Sequence, residues 1–193
     1  MMIRYNSPVI LTYSLICLIV LVLSQLLGPV FGNLFVLKGV FHWYRVSDYF
    51  GLISYVFGHS GWDHFIGNIS FILLIGPTLE EKYGSKRMIE LIIFTAIFSA
   101  IVNILLFGNN IVGASGVVFM MILLSSFTGF TEGEIPLTFI LVTVIFIGKE
   151  FMASFNSDQV SQFAHIIGGI CGAFFGFYFN RNKHLSNYRE EVE

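Results

Sequence analysis

Four polar side chains stand inside otherwise apolar runs of this sequence: His64, Asn68, Ser115 and His165. Ionisable and amide groups are costly in such surroundings, so each asks for a reason. His64 and Asn68 are spaced i, i+4, which puts them one turn apart on one helix face. Ser115 stands in Gly113-Ala114-Ser115-Gly116, where small neighbours let another helix pack closely and leave the hydroxyl accessible. His165 precedes Gly168, Gly169, Gly172 and Gly176, a small-residue stripe of the kind that lets helix backbones approach. A serine hydroxyl is a weak nucleophile until a base takes its proton, and a histidine on a closely packed helix is the right residue type for that task. The Ser115 amide, near a helix N-terminus, could donate to a developing oxyanion, with His64 and Asn68 adding side-chain donors.

The elements that must position these groups follow from composition and hydropathy. Of the 193 residues, 55% are hydrophobic and 11% charged, and the mean hydropathy is +0.80. A soluble domain carries about 25% charged residues, so this is a membrane chain. A formal net charge of -2 with scattered basic residues excludes a nucleic-acid partner. Apolar runs at about 8–31, 62–79, 87–107, 112–129, 136–153 and 162–180 predict an all-α, six-transmembrane-helix bundle. None alternates as a barrel strand would. The whole chain, 1–193, reads as one membrane domain with a short cytoplasmic tail over 181–193, and the first run reads as a retained span rather than a cleaved signal. Cys17 and Cys171 lie in separate apolar runs and offer neither a disulfide framework nor a zinc knuckle.

With the N-terminus inside, Arg4, Lys82, Lys86, Arg87, Arg181, Lys183 and Arg189 fall on the inner side, and Lys38, Arg45 and Lys149 outside, which favours both termini in the cytoplasm. The second, fourth and sixth spans then run inward, and His64, Asn68, Ser115 and His165 share one depth near the outer surface. Each alone has a packing explanation; packing does not require all four at one end of alternate helices. The 31–61 segment, with Phe41, Trp43, Tyr44, Tyr49, Phe50 and Tyr55, suits the outer interface as an aromatic belt or a substrate-facing element.

His59-Ser60-Gly61-Trp62-Asp63-His64-Phe65-Ile66-Gly67-Asn68, then Gly113-Ala114-Ser115-Gly116, then Ala164-His165-Ile166-Ile167-Gly168-Gly169 resembles the rhomboid intramembrane serine proteases over about residues 50–179. The resemblance implies a six-helix bundle whose Ser115–His165 dyad cleaves the transmembrane segments of other membrane proteins within the lipid bilayer, without a cofactor or metal. It makes Ser115 the nucleophile, His165 the base, and His64 and Asn68, with the Ser115 amide, the oxyanion donors. Gly113, Gly116, Phe119 and His59 would support them, His59 through a structural hydrogen bond, and Glu80 and Gly84 would anchor a helix end. Two departures from the family pattern stand out. No Trp-Arg pair immediately precedes the second-helix motif, although Trp43 and Arg45 occur earlier, and Phe119 stands where many members carry a tyrosine against the histidine ring.

Other classes remain to be weighed. A catalytically inactive rhomboid-like protein that binds membrane clients would normally lack Ser115 or His165. A channel would continue its polar path inward, yet the spans turn apolar below His64 and His165. A metal site from His59, His64 and His165 lacks a completing carboxylate or thiolate, with Asp63 expected on another part of the helix. Glu150 and Asp158 are expected to be solvated loop residues rather than a third triad member, and Gly133 and Gly148 would border a movable fifth helix. An organism with a bacterial or archaeal plasma membrane suits so compact a chain.

Overall fold

The computed structural model describes residues 5–127, 135, 137–138, 140–145 and 165–179, and these are helical and loop structure with a single isolated bridge, Leu37 to Ile111, as the one β feature among them. The helices are α1 (Pro8–Leu27), α2 (Pro29–Gly32), α3 (Val46–Ser54), α4 (Trp62–Tyr83), α5 (Ser85–Leu106), α6 (Ser115–Ser125) and α7 (His165–Phe179). Helical backbone is also present at 137–138 and 140–145, within the expected fifth run.

The element boundaries show where hydropathy and backbone chemistry part company. The first run was expected to continue to 31, but α1 stops at Leu27 because Gly28 turns with φ +78 and Pro29 cannot continue the hydrogen-bond ladder. The second run ends at 79 in hydropathy, whereas α4 continues to Tyr83 through Pro77 and the charged Glu80-Glu81-Lys82. Charge ends an apolar stripe, not a helix. The 31–61 segment contains α3 and two 3-10 turns, Asn33–Phe35 and Tyr55–Phe57.

Two described helices, α1 and α5, are long and apolar enough to cross a membrane; α6 and α7 are apolar but shorter. α4 packs against α1, α5 and α6, and α3 rests on α5. Buried residues of α1, α4, α5, α6 and α7, among them Ile10, Ile72, Met88, Val117 and Ile167, form one core. Cys17 and Cys171 are both buried as free thiols in that core.

One end of the bundle is fixed by a buried carboxylate. Glu80, 4% exposed, accepts hydrogen bonds from the Val9 amide at 3.1 Å, the Ile10 amide at 3.0 Å and the Ser85 hydroxyl at 2.7 Å. These are amides of the first turn of α1, which have no acceptor within their own helix. Gly84, at φ +85, then lets the chain turn directly from α4 into α5. The helix-end anchor expected of these two residues is what they form.

Candidate active site

Ser115 is the first residue of α6, and its position is set by the loop before it. That loop, 107–114, is stitched to the outer segment by the paired Leu37 and Ile111 amides and carbonyls, at 2.8 and 3.0 Å. Gly39 donates its amide to Asn110 Oδ1 at 3.0 Å, Gly113 donates its amide to the Tyr55 carbonyl at 2.9 Å, and Asn103 Nδ2 donates to the Asn109 carbonyl at 2.7 Å. Backbone meets backbone closely where a Cβ on Gly39 would overlap Gly108. The outer segment is therefore a clamp on the chain that delivers the serine. Tyr55, expected among the interfacial aromatics, is instead 3% exposed and donates its hydroxyl to the Ala96 carbonyl at 3.0 Å. Trp43, Tyr44, Tyr49 and Phe50 are exposed as a belt requires.

α4 brings the second pair. Ser60 Oγ lies 3.0 Å from His64 Nδ1, so that nitrogen is engaged and Nε2 is turned toward Gly113, whose added Cβ would stand 2.7 Å from it. Gly113 has φ +127, a conformation that side chains rarely adopt, so both the backbone and the histidine ring require glycine there. One turn on, Asn68 is 8% exposed and its Nδ2 has no hydrogen-bond partner among the described residues. A buried, unsatisfied donor is costly, and it is the expected state of a group waiting for an acceptor.

α7 supplies His165, which is held by packing. Its ring lies against Phe119, with centroids 4.5 Å apart and planes inclined by 36°. Phe119 is one turn beyond Ser115 on α6, so ring packing at this position survives without a tyrosine hydroxyl. Below the histidine, a Cβ on Gly168 would run into the Gly116 carbonyl, one on Gly172 into the Met120 carbonyl, and one on Gly176 into the Phe127 ring. Gly168 and Gly172 thus fit α7 onto α6 at backbone contact, and Gly176 continues the seam against the Phe127 ring just beyond α6.

Ser115, His165, His64 and Asn68 all line one cavity of about 860 Å³. Its remaining wall is largely apolar, from residues such as Phe71, Val118 and Ile122 of α4 and α6 and Val142 and Ile145. Three features escaped or contradicted the sequence reading. Asp63, expected to face elsewhere, lines the same cavity; the i, i+4, i+8 series Asp63, Gly67, Phe71 is the pattern that signals it. Ser60, one turn before His64, is the hydroxyl that holds its ring. The structural hydrogen bond expected of His59 is reduced to a marginal one with the Phe57 backbone, neither ring nitrogen having a well-formed partner among the described residues. Its ring packs edge-on against His64 and Phe65, with centroids at 5.2 and 5.4 Å. Burial, with the neighbouring His64, pushes the His59 pKa down to about 4, so it sits neutral.

A separate polar knot orders the outer segment. Asp48, 4% exposed, receives the His42 amide at 2.9 Å and the Ser47 hydroxyl at 3.2 Å, with the His42 ring at 3.1 Å and the Lys38 ammonium at 3.9 Å. Burial raises the pKa of this carboxyl, but the His42 and Ser47 hydrogen bonds and the Lys38 charge outweigh it and leave it below the ordinary value. No group of three or more His, Cys, Asp or Glu residues suited to a metal occurs among the described residues. Residues 128–134, 146–164 and 180–193, which contain Gly133, Gly148, Glu150, Asp158 and the tail, lie outside the described residues.

A Rhomboid domain model matches residues 41–182. The chain belongs to the rhomboid family. Its curated relatives include Rhomboid-related protein 1 of Caenorhabditis elegans, 30% identical over 136 residues, which are 64% of this chain and 38% of that protein. Rhomboid-like protein 11, chloroplastic, of Arabidopsis thaliana is 23% identical over 78% of this chain and 52% of its own length. Rhomboid protease GlpG of Yersinia pestis is 24% identical over 92% of this chain and 64% of its own length. The chain thus spans between about two fifths and two thirds of the relatives it matches. As a rhomboid, it is a membrane protein. Relatives from a worm, a chloroplast and a bacterium do not favour a bacterial or archaeal plasma membrane over an organelle membrane.

Proposed function

We propose that this rhomboid is an intramembrane serine endopeptidase. The observation that carries the reading is the convergence of Ser115, His165, His64 and Asn68 on one cavity, from three helices held in register by glycine contacts and loop hydrogen bonds. In the reaction, the Ser115 hydroxyl oxygen attacks a substrate carbonyl carbon while His165 accepts the hydroxyl proton. The resulting oxyanion is held by the Ser115 amide, the Asn68 amide and His64, whose Nδ1 is already engaged by Ser60. Collapse breaks the peptide C–N bond as His165 returns the proton to the leaving amine, and water, deprotonated by the same histidine, releases the acyl group from Ser115. The phenyl face of Phe119 keeps the imidazole in its plane of action.

In this reading the chain is one six-span membrane domain with both termini cytoplasmic and 181–193 as a tail, and residues 137–145 belong to the fifth span. The cavity then lies toward the outer surface, where water reaches the dyad, and the substrate is the transmembrane segment of another membrane protein, locally unwound so that its carbonyls are free. A client-binding role without catalysis has no need of a serine, a histidine and an unpaired amide in one cavity.

The test is cleavage of a single-span reporter in proteoliposomes by the parent protein and by Ser115→Ala. The expected result is product with the parent and none with the variant. Equal product from both overturns the proposal.

A further inference from the structure

The cavity has a charged rim that the chemistry of peptide cleavage does not use. Asp63 lines it in the second residue of α4, is exposed, and has no hydrogen-bond or ion-pair partner among the described residues. One turn below, Gly67 also lines the cavity, and a Cβ built there meets nothing within 4 Å. A further turn below is Phe71. These three residues form a stripe beside the His64–Asn68 stripe, so a carboxylate stands one turn from an open glycine position and two turns from an aromatic ring on the same cavity wall. Among the described lining residues Asp63 is the one carboxylate, and none is a lysine or arginine.

A void over glycine in an apolar wall accepts an aliphatic stem, and a carboxylate at its wet end accepts a cationic head. Lysine and arginine side chains have that shape, burying their methylenes while the charge stays near water. We propose that Asp63 and Gly67 form a substrate side-chain subsite, selecting transmembrane substrates that carry a lysine or arginine beside the scissile bond at the outer end of their span. This rests on the protease reading above and adds its substrate class. The lower, apolar part of the cavity takes the neighbouring apolar residues of the same segment.

A partly exposed ion pair is worth a modest amount, so the preference is on the order of fivefold, and it weakens as salt screens the pair. A helix-stabilising role for Asp63 in the first turn of α4 would instead alter all substrates alike.

The full chain in proteoliposomes is given single-span reporters that are identical except for Lys, Gln or Glu at the positions flanking the cleavage site. Expected for the parent is kcat/KM highest for Lys and lowest for Glu, with the gap narrowing at 1 M salt. Asp63→Lys inverts the order, and Gly67→Leu, which fills the open glycine position, removes most of the preference. Equal kcat/KM for all reporters, or an order unchanged in Asp63→Lys, overturns the subsite. Binding of the same reporters to Ser115→Ala in nanodiscs, followed by fluorescence anisotropy, separates the two ideas. Lys-selective binding that Asp63→Lys inverts, with no cleavage by the parent, would sink the protease reading and keep the subsite. Ser115-dependent cleavage with charge-blind binding would do the reverse.

Discussion

The serine and its base are positioned by two kinds of structure. On the serine side, the outer segment and the 107–114 loop are held by directional hydrogen bonds: Leu37 with Ile111, Gly39 with Asn110, Gly113 with Tyr55. On the histidine side, α7 meets α6 through glycines, Gly168 against Gly116 and Gly172 against Met120, and the histidine ring rests on Phe119. The first region contains many small constraints that can be lost one at a time. The second contains a steric fit in which a single carbon atom has nowhere to go. Damage should therefore be graded on one side and abrupt on the other.

The strongest way to break the seam is Gly168→Val. Its side chain would occupy the space of the Gly116 carbonyl, forcing α7 away from α6, and reporter cleavage should fall to the level of Ser115→Ala. Near-parental cleavage by Gly168→Val would show that the seam does not set the dyad.

Next in size are changes to the oxyanion donors. Asn68→Ala removes a buried amide whose Nδ2 has no partner among the described residues, and losing one such donor costs on the order of a hundredfold in kcat. KM should change little, because the oxyanion exists only after attack. A rise in KM with kcat intact would reassign Asn68 to substrate binding.

The clamp should then yield in smaller steps. Asn110→Ala leaves the Gly39 amide without its acceptor and should lower unfolding free energy by about 1 kcal/mol, with a severalfold loss of cleavage. A loss as complete as that of Gly168→Val would erase the distinction between the two regions.

The smallest effect is on pH. His59 is held neutral, with a pKa near 4 against an ordinary 6.5. The unfolded chain therefore binds more protons than the folded one between those values, and stability falls as pH drops from about 6.5 toward 4. Asp48, whose pKa is lowered, adds a further loss at more acid pH as its carboxyl protonates in the folded state. His59→Phe should flatten the upper part of this curve in thermal unfolding, and an unchanged slope would remove His59 as its source.

The contrast between the two regions also explains what the sequence revealed. The glycine stripe of α7, the Gly113-Ala114-Ser115-Gly116 run and the i, i+4 pair of α4 are local patterns, so the helical elements carrying the site were legible with the four residues that line its cavity. The clamp was not, since Gly39 and Asn110 stand 71 positions apart and Leu37 and Ile111 are as distant in the chain, and nothing in either segment names its partner. Asp63 was misjudged because one position along a helix turns a side chain by only about 100°, which still falls within the arc of a wide cavity. His59 was only partly legible, because the packing of its ring against His64 and Phe65 depends on how α4 turns away from the loop before it.

The backbone contact between Gly168 and Gly116 has one more consequence. It does not stand alone: Gly172 meets the Met120 carbonyl one turn on and Gly176 the Phe127 ring a turn after that, so α7 is held along a line and not at a point. Tilting α7 about any one of these glycines drives another into its neighbour, and the crossing of the two helices is thereby fixed. Ser115 lies one residue before Gly116 and His165 three before Gly168, so both stand at the head of this seam and share its stiffness.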